Sequence, residues 1–204
     1  MPAAQERLLK ILRRHVADER VLAAMATVPR DRFVPRALLA DAWENIPLPI
    51  GAGQTISQPL VVARMCELLE LSGDETVLDV GTGSGYHAAV LACLARHVHS
   101  IEVHASLSRE AAEKLTGVSN VTLHVGDGSL GLPEYAPFDA INVAAAAGGA
   151  IPPALAEQLA PGGRLVAPVE AGEQRLVVAR RTAAGVTLQE LERVRFVPLV
   201  RSRD

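Results

Sequence analysis

Aromatic side chains are scarce in this chain of 204 residues, with one tryptophan, two tyrosines and three phenylalanines making up 3% of it. A binding surface of stacked rings, of the kind that holds single-stranded nucleic acid, is therefore not expected. Lysine is confined to Lys10 and Lys114, and 20 basic residues face 23 acidic ones. Nucleic acid is not an expected partner, because its backbone calls for a concentrated positive surface; Arg13-Arg14 and Arg180-Arg181 read as solvated faces. Long hydrophobic runs are also missing. The most apolar stretch, 141–156, is interrupted by Gly148, Gly149, Pro152 and Pro153, and nothing approaches the ~18 residues of a spanning helix. Glu6, Arg7, Lys10, Arg13 and Arg14 break up any apolar leader, so neither membrane association nor secretion is expected. The two cysteines, Cys66 and Cys93, form no CxxC pair and fall in apolar helical patterns. They read as buried free thiols in a reducing cytoplasm, with no disulfide framework and no metal site.

Against these absences, 49% of the residues are hydrophobic and 21% charged, which suits one well-buried domain with at most a modest extension. Leu8, Leu9, Ile11, Leu12 and Val16 form one helical stripe and Val21, Leu22, Met25 and Val28 another. Residues 33–53, with Pro35, Pro47, Pro49, Gly51 and Gly53, read as loop. A helix follows Ser57 and stops near Gly73. This N-terminal part, 1–72, is expected to form a helical cap, and 73–204 an α/β body, together one compact unit. In the body, strands predicted at 76–80, 98–103, 121–125, 138–143 and 164–169 alternate with helices at 84–96, 105–115 and 152–159, the pattern of a parallel sheet covered on both faces. Two β-rich stretches, 175–181 and 186–196, suggest a closing antiparallel pair and a sheet of about seven strands.

The segment Val77-Leu78-Asp79-Val80-Gly81-Thr82-Gly83-Ser84-Gly85-Tyr86 places a glycine-rich turn between a buried strand and a helix, where a backbone without Cβ atoms can approach a ligand. Glu102 closes the next strand seventeen residues after Gly85, a position from which a carboxylate can take both ribose hydroxyls of an adenosine. Position 86 is tyrosine, so the pattern is GxGxG and not the dinucleotide GxGxxG. Asp79, just before the turn, would repel a pyrophosphate but attract an ammonium. These features favour S-adenosylmethionine over NAD. Asp127, in Gly126-Asp127-Gly128 after the third strand, is either an acceptor for an adenine amine or a simple Asp-Gly turn.

Methyl transfer is an in-line displacement, so the acceptor limits the residues required. The fourth strand ends in Asn142-Val143-Ala144-Ala145, unlike the (Asn/Asp)-Pro-Pro-aromatic sequence that grips a nucleobase amine. His87, His97, His99, His104 and His124 are scattered along the chain and read as structural or solvated. A carboxylate acceptor, already anionic at neutral pH, would need only hydrogen-bond donors. Gly53-Gln54-Thr55-Ile56-Ser57-Gln58-Pro59 is the candidate donor segment. Ser57 followed by Pro59 is also helix-start chemistry, and spacing alone favours a plain N-cap there.

Together with Asn45-Ile46-Pro47-Leu48-Pro49-Ile50-Gly51, Pro137-Phe138-Asp139-Ala140-Ile141, Pro161-Gly162-Gly163-Arg164-Leu165-Val166 and Arg195-Phe196-Val197-Pro198-Leu199, these segments resemble the protein-L-isoaspartate (D-aspartate) O-methyltransferase family. The resemblance covers most of the chain. It implies the class I S-adenosylmethionine-dependent (Rossmann-like) methyltransferase fold and S-adenosylmethionine as cofactor. The acceptor would be the free α-carboxylate of an L-isoaspartyl residue in a damaged protein or peptide, and the chain a cytoplasmic monomer. Ser57 would donate to the acceptor carboxylate, with Thr55 and Ile56 beside it. Asp79, Gly81, Thr82, Gly83, Ser84 and Gly85 would surround the methionine and ribose, Glu102 the ribose, and Asp127 and Gly128 the adenine; Val197, Pro198 and Leu199 would wall the peptide site. Two departures stand out: Ala52 between Gly51 and Gly53, and the lack of an early proline after Ala144, where Gly148-Gly149 predicts a flexible loop. A methyltransferase for a small-molecule carboxylate or hydroxyl, and a non-catalytic S-adenosylmethionine-binding module, are the alternatives.

Overall fold

The computed structural model describes residues 2–200. The N-terminal part opens with α1 (Ala3–Leu12) and α2 (Glu19–Thr27). Asp18 caps α2, its side chain accepting from the Arg20 amide at 2.8 Å. Two 3-10 turns, Arg30–Phe33 and Arg36–Asp41, lead into a hairpin of β1 (Leu48–Gly51) and β2 (Gln54–Ile56), where the prolines and glycines had suggested only loop. Pro49 is accommodated because the hairpin has only two strands, so no ladder needs its missing amide. Gly51, Ala52 and Gly53 all take positive φ at the bend, and Ala52 at 48° is the one residue there that bears a side chain in the left-handed region.

The body follows with α3 (Pro59–Leu68), β3 (Thr76–Val80), α4 (Tyr86–Ala92), β4 (His97–Glu102), α5 (Ala105–Lys114), β5 (Val121–Val125), β6 (Phe138–Val143), β7 (Ala147–Gly148), α6 (Pro153–Glu157), β8 (Leu159–Ala171), β9 (Glu173–Thr182) and β10 (Gly185–Arg193). The main sheet runs β10-β9-β8-β6-β3-β4-β5, with the short β7 added alongside β8. β3, β4, β5, β6 and β8 pair in parallel and the last three strands form an antiparallel meander. Chain order reverses direction at β3, between β4 and β6, which opens a crevice at the C-terminal strand ends.

Alternation along the strands sends Val77, Val98, Ala140, Val166 and Val178 to one face and Leu78, Ile101, Ile141, Leu165 and Ala179 to the other. The first face packs against α3, α4, α5 and the N-terminal helices in one continuous core, so the cap shares its buried surface with the body. The second is covered by α6 and the short turns around it. Arg30 fastens the cap to α4. Its side chain is fully buried, donates to the Ala42 and Ile46 carbonyls at 2.9 and 3.2 Å, and stacks its guanidinium 5.1 Å from the Tyr86 ring centroid. Burial lowers its pKa to about 10. Among the described residues no helix is long and apolar enough to cross a membrane.

Arg30→Ala strands two carbonyls and empties the space beside Tyr86. It is expected to cost about 3 kcal/mol or more of unfolding free energy, read from urea denaturation; a change under about 1 kcal/mol would show that the cap is held elsewhere.

Candidate cofactor and acceptor site

The crevice at β3 rests on a row of polar side chains inside the sheet. Asp79 is in register with Ser100 of β4 on one side and Asn142 of β6 on the other, and all three are 0% exposed. Ser100 Oγ donates to Asp79 Oδ2 at 2.7 Å and Asn142 Nδ2 to Oδ1 at 2.7 Å. The second amide hydrogen of Asn142 points at His87 Nδ1, 3.2 Å away, which leaves the His87 Nε2 proton for Cys66 Sγ at 3.5 Å. At the other end Ser100 Oγ meets Thr82 Oγ1 at 2.6 Å, so the row reaches the glycine turn. Asn142 Oδ1 has no partner among the described residues. Burial raises the Asp79 pKa to about 6 against the pull of its two donors, lowers His87 to about 3 and pushes the Cys66 thiol up.

Above this row the turn leaves β3 with Gly81 and Thr82 amides donating to the Ile101 carbonyl at 2.9 and 3.3 Å. Gly81, Gly83 and Gly85 take φ of 93°, 53° and 87°, which excludes ordinary side chains there. Glu102, 5% exposed at the end of β4, accepts from the Gly83 amide at 2.8 Å through Oε2 and from the His104 amide at 3.0 Å through Oε1. A cleft opens here, lined among others by Gly81, Gly83, Glu102, His104, Gly128 and Val197. The Gly128 position admits no Cβ, which would lie 2.5 Å from Val80 Cγ1.

Two further cavities adjoin the cleft. A small inner one lies against Ile56, Ser57, Thr82, Gly83, Ser84 and His87. A larger outer one, about 420 Å³, is lined by Pro47, Ser57, Val61, Arg193, Arg195 and Phe196, among others. Thr55 and Ala144 line all three, and Ser57 lines the inner and outer ones. Ser57 is not the N-cap of α3. That position belongs to Gln58, whose own side chain is tied to the Asn45 carbonyl at 2.9 Å. The Ser57 hydroxyl has no hydrogen-bond partner among the described residues.

The segment after β10 closes the cleft. Val194 and Phe196 amides donate to the backbone and side-chain oxygens of Gln174 at 3.0 and 2.6 Å, and then the Val197 carbonyl accepts from the Ala146 amide at 2.8 Å and the Leu199 amide donates to the Ala146 carbonyl at 2.8 Å. Val197, Pro198 and Leu199 thus line the cleft with their backbone committed to Ala146. The same bonds overturn the flexible loop expected at 144–149. Ala144 is held by the Val80 carbonyl at 2.8 Å, β7 pairs with β8, and the Gly149 amide donates to the Glu170 carbonyl at 2.9 Å.

Three residues expected at the ligand, Asp79, Gly85 and Asp127, have contacts within the protein. Asp79 lines none of these three cavities, and both of its oxygens are used within the sheet. Gly85 precedes α4 and faces α5, where a Cβ would sit 3.2 Å from Leu115 and 3.3 Å from Ala111; close helix packing adds to its positive φ in favouring glycine there. Asp127 caps the turn Gly128–Leu130 through Oδ1, accepting from the Ser129 amide at 2.9 Å, and sits beside the cleft lining. Cys93, expected to be buried, is exposed. Nor are the histidines all scattered: His99 Nδ1 lies 3.1 Å from His124 Nε2, with Tyr135 stacked 4.5 Å from His99. No group of three or more His, Cys, Asp or Glu among the described residues is placed to hold a metal. Sequence reasoning missed Ala144, His104, Arg193 and Arg195 in the lining, and Asn142 and His87 in the row. A polar residue inside an otherwise apolar strand was the signal for Asn142.

A parallel sheet with a glycine turn after its first strand and a carboxylate ending the second, beside a cleft at the strand ends, defines a class I methyltransferase architecture. Residues 3–204 match the family model for Protein-L-isoaspartate(D-aspartate) O-methyltransferase. The chain is 56% identical over 192 residues to a protein-L-isoaspartate O-methyltransferase of Halorhodospira halophila, covering 92% of this chain and 87% of that one. It is 49% identical to one of Aeromonas hydrophila, with 96% of each covered. A solved protein-L-isoaspartate O-methyltransferase superposes with a TM-score of 0.87 at 26% identity over 95% of this chain, which spans 65% of that longer one. A Plasmodium falciparum structure described as the same kind of enzyme, in complex with S-adenosyl-L-homocysteine, gives 0.83 at 25% identity, covering 97% and 99% of the two chains. The chain belongs to the protein-L-isoaspartate (D-aspartate) O-methyltransferase family.

The buried row makes opposite demands on pH. Asp79, raised from 3.8 to about 6, keeps a proton in the folded chain that the unfolded chain releases between these values, so its contribution to stability is present at low pH and lost as pH rises through about 6. His87, lowered from 6.5 to about 3, contributes stability above pH 6.5 that is lost on acidification. Asp79→Asn removes only the first. Its urea stability is expected to fall between pH 6.5 and 4.5 by about 2 kcal/mol more than that of the unsubstituted protein; parallel pH profiles would show that Asp79 titrates normally.

Proposed function

We propose that the chain transfers a methyl group from S-adenosylmethionine to the free α-carboxylate of L-isoaspartyl residues in damaged proteins and peptides. The observation that carries this reading is the Ser57 hydroxyl, bound to nothing else, in the pocket that joins the glycine-lined cleft through Thr55 and Ala144. Family membership points the same way.

The cleft suits the cofactor in its donor set. Gly81, Gly83 and Gly128 leave room for close backbone approach. Glu102 uses one lone pair of each oxygen on backbone amides and keeps the others for a ribose diol. His104 Nε2 is buried in the lining with no partner among the described residues, an orphan that a ligand donor or acceptor would satisfy. Val80 and Ile101 supply an apolar floor for adenine, and Asp127 holds the turn that brings Gly128 into it. Ser84 and Thr82 wall the inner cavity toward the methionine end. When bound, S-adenosylmethionine supplies a methyl group on a positively charged sulfur.

The chain's own residues then have a limited task. An α-carboxylate is ionised at neutral pH and needs no general base. Ser57 donates to one of its oxygens and leaves the other aligned for in-line attack, while Thr55 and Ile56 fix the approach and Val197, Pro198 and Leu199 exclude water. The product ester has a good leaving group. The following backbone nitrogen attacks the ester carbonyl, methanol departs, and the resulting succinimide hydrolyses in part to normal aspartate without further help. Free Cys66 and Cys93 with no disulfide support a reducing cytoplasm as the compartment, and we read the chain as a monomer.

Isoaspartyl and aspartyl peptides of one sequence provide the deciding assay, with methylation expected only of the former. Equal transfer to both, or to neither, rejects the reading. Ser57→Ala is expected to lower kcat/KM about ten- to a hundredfold with cofactor affinity unchanged, the range for a hydrogen bond to a charged group; loss of cofactor binding would place the serine elsewhere. Glu102→Ala should weaken cofactor binding by about 1–3 kcal/mol by calorimetry, and an unchanged Kd would remove it from the ribose.

A further inference from the structure

The outer pocket does not end beside Ser57. It runs into a second cavity between α3 and the stretch 192–194, and the two share Gln58, Val61, Arg193 and Val194. The result is a groove leading from Thr55, beside the cofactor cleft, outward to His15 and Leu176. Its apolar contacts come from Pro47, Leu60, Val61, Val194 and Phe196, small or flat surfaces without shape that would demand one particular side chain.

Its charges are unevenly compensated. Arg64 is neutralised twice, by Glu67 at 2.6 Å and Glu192 at 3.0 Å. Arg193 pairs with Glu173 at 2.8 Å. Arg195 is exposed and has no acidic partner among the described residues. It lines the outer pocket with Ser57, but neither the cofactor cleft nor the inner cavity, so it stands back from the reacting centre. A guanidinium on the attacking carboxylate itself would also withdraw charge from the nucleophile, whereas the neutral Ser57 hydroxyl does so far less.

Resting on the reading of this site as an isoaspartyl carboxyl methyltransferase, we propose that Arg195 selects acceptor chains carrying an aspartate or glutamate near the damaged residue. The groove then accepts many sequences through its apolar walls and ranks them by the charge of their flanks. Raising the salt concentration weakens this ranking, because the pair is exposed.

The test is a set of isoaspartyl peptides of one sequence, with Glu, Gln or Lys placed in turn at each of the two positions on either side of the isoaspartyl residue, and an aspartyl twin of each. The expected result is a KM about two- to fivefold lower for Glu than for Lys at one or more flanking positions, the size of an exposed ion pair, disappearing at 0.5 M NaCl. Arg195→Glu should invert the order and Arg195→Lys retain it. A flat KM series with isoaspartyl peptides still methylated overturns the role of Arg195 and leaves the activity standing, as does an order unchanged in Arg195→Glu. A KM raised equally for every peptide by Arg195→Glu assigns the arginine to the reacting carboxylate and also overturns the proposal. Equal methylation of the aspartyl twins, or of no peptide, overturns both readings. Thermal melts of both variants establish that they fold.

Discussion

A carboxylate closed off from water in the middle of a parallel sheet is costly unless its oxygens are met by donors. Asp79 meets that condition by register: Ser100 and Asn142 stand opposite it on the neighbouring strands, and each supplies one hydrogen bond. The consequence reaches beyond one residue. The three strands whose ends form the crevice cannot slip relative to one another without stranding this carboxylate, so the row acts as a register pin for the site. Thr82 extends it into the glycine turn and His87 into α4, so the backbone that approaches the cofactor and the helix behind it refer to the same anchor.

From this pin the site is assembled in layers that differ in chemistry. The cofactor cleft combines backbone, one carboxylate and an orphan imidazole nitrogen. Next comes a junction of two small side chains, Thr55 and Ala144, where the cavities meet. Beyond it the outer pocket offers the neutral hydroxyls of Thr55 and Ser57 beside the cleft, with Arg193 and Arg195 in the same lining. Neutral hydroxyls suit a nucleophile that must remain negatively charged: donors strong enough to hold it firmly would also reduce its reactivity. Transfer is then governed by alignment and dryness, with no proton to be moved.

Much of this could be read from the residues alone. β5 and β6 fall within the predicted bounds because apolar strands bounded by glycine or charge leave little choice, and the turn after β3 was identified because glycines at that spacing serve backbone approach. What could not be read depends on neighbours across strands. Asn142 and His87 lie in apolar text and become partners only through register. Gly85 reads as part of the glycine turn, and a further reason for hydrogen at its Cα lies in Leu115 and Ala111 on another helix. Gly148 and Gly149 promise mobility locally but are tied to Glu170, Gly148 by strand pairing and Gly149 by its amide. β1 and β2 were hidden because proline and glycine describe propensity, while a short hairpin with free edges tolerates both.

Among the described residues the wall formed by residues 194–199 is hydrogen-bonded to two others, Gln174 and Ala146, and it belongs to no strand of the main sheet. Its contacts join parts of the chain far apart in sequence, so they carry a large loop-closure cost and little local support. Detaching this one strap would expose the cofactor cleft and the acceptor pocket together while every strand pairing of the sheet stayed intact. It is thus the natural unit of sub-global opening, with a free energy set by five hydrogen bonds and a few apolar contacts and not by the core. A peptide or cofactor that needs the wall in place adds its binding energy to that equilibrium, so occupancy tightens the strap against amide exchange and proteolysis while the core is unaffected.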